Sequence, residues 1–252
     1  MIKKYSKFIL ILLIMLSITY SFTVVSAEEN NVYFTNENGV SLTKEEYDFL
    51  TKMYWDGYQK IMTQEEYRNF NDNDIMHGEF NKKKIIVDDN PLTRGSFHST
   101  AAKSIEIATS CLESPDCFVS IVATWLGSPV VRSYDVMGCY LSRVSLTSVP
   151  VTRVSSKDDT YFTNDDKDLQ TFDNGYGTSF KLPTGSNVII NQDFYVSKGG
   201  RVFASYQHAR EDITYKVSKD YTISKIGYGG VFEFGKEGKE VYDQMNGVDI
   251  AV

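Results

Sequence analysis

The chain has 252 residues, with 26 basic and 33 acidic side chains, 17 Tyr, 15 Phe and only 5 Pro. Its formal net charge of −7 repels phosphate backbones, whose recognition rests on cationic contacts, so nucleic acid is excluded as a leading partner. The length admits one large domain or two small ones.

The first 27 residues pattern as a secretory signal peptide. Lys3, Lys4 and Lys7 form a basic head, an apolar run starts at Phe8, and Val25-Ser26-Ala27 offers a small-residue exit before Glu28-Glu29-Asn30. Ser17, Thr19, Ser21 and Thr23 dilute the stretch below the roughly 20 apolar residues a spanning helix needs. Cleavage after Ala27 is therefore expected, with no stable membrane insertion afterwards. Without the three lysines of the head, 33 acidic side chains face 23 basic ones, a net charge of −10. Export also makes disulfides possible.

Residues 28–99 are expected to form a helical hairpin and a linker. Leu42-Thr43-Lys44-Glu45-Glu46-Tyr47 is echoed by Met62-Thr63-Gln64-Glu65-Glu66-Tyr67. Each copy is a Thr-x-x-Glu capping box flanked by residues able to form a hydrophobic staple. The first predicted helix runs from about residue 44 to 60, with an apolar stripe at Tyr47, Leu50, Tyr54, Tyr58 and Ile61. The second runs from about 64 to 70 and stops at Asn71-Asp72-Asn73-Asp74. Lys82-Lys83-Lys84 reads as a solvated edge, with proteolytic processing as the alternative.

From about residue 100 to 252, short aromatic and β-branched runs alternate with turn residues. This predicts a predominantly antiparallel β-sandwich, and an α+β class for the whole chain. The runs begin at Phe118–Trp125 and Val130–Leu141, expected to pair as a hairpin. Others follow at Tyr176–Leu182, Val188–Ser197, Arg201–Ala209, Tyr215–Val217, Tyr221–Ile226 and Val231–Phe234. Val188, Ile190, Phe194 and Val196 share one face, as do Val202, Ala204 and Tyr206. A hairpin turning through Lys198-Gly199-Gly200 would set Val196 opposite Val202, with Gly200 in the left-handed region.

Three cysteines are present. Cys111 and Cys117 bracket the turn-forming Leu112-Glu113-Ser114-Pro115-Asp116, so a disulfide clipping a hairpin is expected, worth about 2 kcal/mol in the chain-entropy model. Cys139, in mid-strand, is expected to stay free and buried.

Candidate chemistry is sparse. The histidines are His77, His98 and His208. His208 continues the inward parity of Tyr206, which suits a hydrogen-bonded strand-end side chain better than a general base. Ser96-Phe97-His98-Ser99-Thr100 lacks a nucleophile elbow. Asp135 shares parity with Met137, Cys139 and Leu141, so it points inward and needs a partner, with Arg143 and Arg153 as the expected cations. Asp158, Asp159, Asp165, Asp166 and Asp168 gather hard oxygen ligands in one loop and form a candidate calcium site, although their spacing is not that of an EF-hand. Tyr161, Phe162, Phe172 and Tyr176 lie in or beside that loop and suggest an aromatic strip suited to sugars.

Ser205-Tyr206-Gln207-His208-Ala209 and Tyr242-Asp243-Gln244-Met245-Asn246-Gly247-Val248-Asp249 resemble segments of uncharacterised secreted proteins of Gram-positive bacteria. The reading that follows is a secreted or wall-associated, non-catalytic protein that binds a protein or glycan at the cell surface. A small hydrolase using His208 or His98 and a β-rich membrane-active protein are the alternatives. The exit at Ala27 predicts that the secreted protein begins at Glu28. N-terminal sequencing of culture supernatant checks this, and an intact Met1 in the membrane fraction would refute it.

Overall fold

The structure is a computed structural model that describes residues 32–87, 103–111, 113, 115–157, 160–163, 168–225, 231–243 and 247–252. The expected signal segment therefore lies outside the described residues. So do His98 and four of the five candidate calcium ligands, Asp158, Asp159, Asp165 and Asp166. Among the described residues, no helix is long and apolar enough to cross a membrane.

The chain starts with a two-stranded ribbon, β1 (Phe34–Thr35) and β2 (Ser41–Leu42), and three helices, α1 (Lys44–Met53), α2 (Tyr58–Ile61) and α3 (Gln64–Asp72). Both capping boxes form. Thr43 and Thr63 each accept from the backbone three residues on, while Glu46 and Glu66 reach back to the cap N–H. The single helix expected over 44–60 is broken in two. α1 stops at Met53, and α2 restarts after Gly57, whose φ of 97° lies in the left-handed region. The Asp56-Gly57 turn outweighs the helical stripe because Gly alone adopts that conformation at little cost. The turn lets the Tyr54 and Tyr58 rings stack 3.9 Å apart.

The strands that follow are β3 (Glu79–Val87), β4 (Lys103–Cys111), β5 (Asp116–Trp125), β6 (Tyr134–Ser142), β7 (Val151–Ser155), β8 (Thr160–Thr163), β9 (Leu169–Phe172), β10 (Gly175–Lys181), β11 (Ile189–Ser197) and β12 (Arg201–Gln207). The C-terminal part comprises α4 (Tyr215–Ser218), β13 (Tyr221–Ile223), β14 (Phe232–Phe234), α5 (Lys236–Val241) and β15 (Val248–Ala251). Residues 215–217, expected as strand, are helical because Thr214 caps the Val217 N–H. β3 falls in the stretch read as linker, and its Lys82-Lys83-Lys84 run lies on a sheet edge. Lysines on an exposed edge discourage pairing with other chains. Lys82 and Lys84 both pair with Glu106, and Lys83 reaches Asp249 at 2.6 Å.

Two antiparallel sheets dominate. One has the order β3-β4-β5-β11-β7-β8 and the other β15-β12-β6-β10-β9. One apolar cluster draws on both. It takes Ile105, Ile107, Val119, Ile121, Trp125, Val154, Ile190, Phe194 and Val196 from the first, and Met137, Leu141, Tyr176, Phe180, Val202, Tyr206, Val248 and Ile250 from the second. The outer face of the six-stranded sheet is covered by the N-terminal helices through Leu50, Met53, Tyr58 and Phe70 against Ala108 and Phe118. The outer face of the five-stranded sheet carries Val136 and Phe203 under Tyr221, Phe232 and Tyr242.

Both expected hairpins are overturned. β11 pairs with β5 and β7, whereas β12 pairs with β6 and β15. Val196 thus faces Cys117, and Val202 faces Leu141 and Ile250. In the same way β5 and β6 belong to different sheets. Val196 and Val202 both face the shared core, but period two is satisfied equally by edge pairing and by face-to-face packing. The disulfide closes the β4–β5 hairpin at Cys111 and Cys117, which are direct cross-strand partners with Cα atoms 4.0 Å apart. Cys139 is free and buried, and burial pushes its thiol well above the usual range.

Left-handed backbone falls on Gly199 (φ 99°), not on Gly200. Gly200 is needed for close approach instead. A Cβ there would sit 2.1 Å from the Ser142 carbonyl oxygen, whereas at Gly199 nothing lies within 4 Å. Gly200→Ala should therefore destabilise by about 2–3 kcal/mol through overpacking against backbone, and Gly199→Ala by about 1 kcal/mol through strain. Urea unfolding of the two variants checks the order.

Candidate functional site

The largest concentration of chemistry-bearing side chains is buried between the two sheets. Asp135, inward-facing on β6, is fully buried, as the sequence parity implied. Its partners are not arginines. It accepts from the Tyr206 hydroxyl, from His208 Nδ1 at 3.0 Å and from the Ala209 backbone N–H at 3.1 Å. Arg153 instead faces the outer side and pairs with Glu66. Three converging donors compensate the buried carboxyl group.

The network extends across the gap between the sheets. Trp125 Nε1 donates to the Tyr206 oxygen at 2.9 Å. The His208 ring stands edge-on to the Trp125 indole, with centroids 4.6 Å apart. Lys103, cross-strand partner of Trp125, is 1% exposed, and its ammonium lies 5.1 Å from the Trp125 ring centroid and 5.6 Å from that of Tyr206. Lys103 Nζ pairs with Asp243, itself 3% exposed. The other oxygen of Asp243 accepts the His208 backbone N–H at 2.9 Å, and the Asp243 N–H returns to the His208 carbonyl at 2.9 Å. Burial, then the negative field of Asp135, holds the Tyr206 hydroxyl well above its ordinary pKa, so it stays a neutral donor. Among the described residues, His208 Nε2 has no hydrogen-bond partner.

Sequence reasoning singled out Asp135 and His208 but did not connect them. It missed Lys103 and Asp243. A signal for Lys103 was present, since it shares parity with Ile105 and Ile107, and a lysine on an apolar face is an anomaly. Asp243 follows α5 in irregular chain, where periodicity carries no information.

A second polar seam ties the helices to the outer face of the six-stranded sheet. The Tyr54 hydroxyl donates to Asp193 at 3.2 Å, and Asn191 Nδ2 donates to Asp193 and to Ser120, each at 2.9 Å. The Arg153 guanidinium lies 5.2 Å from the Tyr58 ring centroid. Glu66 both caps α3 and pairs with Arg153, so one carboxylate serves local and tertiary structure.

Among the described residues, the remaining candidates stand apart. His77 is exposed and pairs with Asp74. Asp168 accepts the Tyr215 hydroxyl at 2.9 Å. Among the described residues, no group of three or more His, Cys, Asp or Glu is placed to hold a metal ion. Of the expected aromatic strip, Tyr176 lies in the central core and Phe172 packs against Tyr221.

No family model matches the chain, and no curated protein matches it. Among solved structures, it is similar to the enzymatically active domain of tailspike protein 4 of bacteriophage CBA120. The identity is 13% and the TM-score 0.23, over 54% of this chain and 19% of that one.

Enclosure beneath the helices pushes the Asp193 carboxyl from 3.8 up to about 6, against the hydrogen bonds from Ser120 and Asn191. The folded protein therefore holds this proton more tightly than the unfolded chain. Its stabilising contribution is full below about pH 3.8 and is lost as the pH rises through about 6. Asp193→Asn should remove this share of the pH dependence, leaving the variant relatively more stable than the wild type at pH 7.5 than at pH 5. Melting temperatures at the two pH values check it.

Proposed function

We propose that the protein is a secreted or wall-associated binding protein of Gram-positive type, non-catalytic, whose two antiparallel sheets form a β-sandwich scaffold. The observation that carries this reading is the enclosure of the Asp135–His208 pair. Both side chains are fully buried, and Asp135 is occupied by Tyr206, His208 and the Ala209 N–H. A general base must lie within reach of a substrate proton, whereas a pair sealed from solvent serves to hold strand ends together. The sandwich supports the same role, since loops leaving a rigid two-sheet scaffold are the usual place for recognition. The partner is a protein or glycan of the cell surface, with a mature net charge of −10 disfavouring anionic ligands.

The test is saturable binding of the labelled secreted protein to Gram-positive cell walls, compared between wild type and His208→Gln. Gln keeps one donor and one acceptor, so binding should survive while stability falls by about 1–3 kcal/mol from imperfect pairing with Asp135. A wild type that does not bind refutes the proposal. So does a variant of unchanged melting temperature that loses about 100-fold or more of a hydrolytic activity, which would identify His208 as a general base.

A further inference from the structure

Lys103 and Asp243 form a deeply buried ion pair, 1% and 3% exposed at their side chains. Desolvating two opposite charges costs several kcal/mol per ion, and apolar replacements are often as stable or more so. Trp125 and Tyr206 wall in the ammonium on their ring faces. Asp243 is fixed in two ways, by its side-chain oxygen on the His208 N–H and by its own N–H on the His208 carbonyl. Such fixing places Nζ against one carboxyl oxygen and turns an intermolecular condensation into an intramolecular one.

We propose that Lys103 and Asp243 condense to an intramolecular isopeptide bond. A proton passes from the Lys103 ammonium to the carboxyl oxygen that contacts it, leaving a neutral amine beside a neutral acid. The amine lone pair attacks Cγ of Asp243 and forms the Nζ–Cγ bond. The tetrahedral adduct then breaks its bond from Cγ to the contacting oxygen, which leaves as water with two of the original ammonium protons. One ammonium and one carboxylate become one secondary amide and one water, with no oxidant, cofactor or co-reactant. The remaining oxygen becomes the amide carbonyl and keeps the His208 N–H as its donor. In bulk water such a condensation is opposed by solvation of the ions. In this enclosed site the reaction removes two buried charges, which favours the amide.

The bond would join β4 of the six-stranded sheet to the chain just before β15 of the five-stranded one, across 140 positions. It would close most of the β-structure into a covalent loop that resists unfolding and proteolysis. The inference does not depend on what the protein binds.

The test is intact-mass spectrometry of the secreted wild-type protein with its disulfide in place, followed by tryptic mapping. The expected mass is lighter by one water than the sequence with a single disulfide. The expected map has no cleavage after Lys103 and a branched peptide containing Lys103 and Asp243. A protein at full mass with Lys103 cleaved would overturn the proposal. A water loss confined to one linear peptide, as in a cyclic imide, would do the same. Lys103→Met lacks the amine whether or not it folds, so it should run at its full mass. If it too were lighter by one water, the loss would lie elsewhere and the proposal would fail.

Discussion

The closure of two antiparallel sheets over one shared apolar face is the constraint on which the rest of the molecule depends. Strands of each sheet send alternate residues into a single cluster, from Ile105 and Phe194 on one side to Val202 and Ile250 on the other. Burying that area from water is the main favourable term. Consecutive strands are accordingly divided between the sheets, β5 in one and β6 in the other, then β11 in one and β12 in the other. The connections that look like hairpins in sequence are the passages between layers.

Each sheet is also covered on its outer face, by the N-terminal helices on one side and by the α4–α5 region on the other. Double-sided burial explains why polar side chains within strands need internal partners. Gln192 shows this at the centre. It donates to the Met137 carbonyl and to Thr152, each at 3.1 Å, and accepts from the Tyr176 hydroxyl at 3.2 Å. The chain thus crosses its own core with directional bonds, which select one relative placement of the sheets where apolar contact alone would tolerate several.

The charged groups divide between two seams with different chemistry. At the outer seam, Asp193 and the Glu66–Arg153 pair hold the helices to the sheet, with a carboxyl whose proton is within reach of mildly acidic conditions. At the inner seam, Asp135, Tyr206, His208, Lys103 and Asp243 form a continuous sealed network. A sealed network suits structural locking, covalent or ionic.

Local chemistry determined what was legible from the chain alone. The two capping boxes, the Cys111–Cys117 clip, the solvated lysine edge and the inward parity of Asp135, Phe194 and Val202 each depend on residues a few positions apart. Their outcome hardly changes with the fold. Three things were decided only by the tertiary structure. The first is which strand lies beside which, because alternation specifies a face and not a neighbour. The second is where the rings on either side of the Gly57 turn come to rest, Tyr54 stacked on Tyr58 and reaching Asp193. The third is the meeting of Lys103 with Asp243 and of Asp135 with His208. A buried charge takes whichever partner the packing of distant segments delivers, and no spacing in the chain encodes a contact across 140 positions.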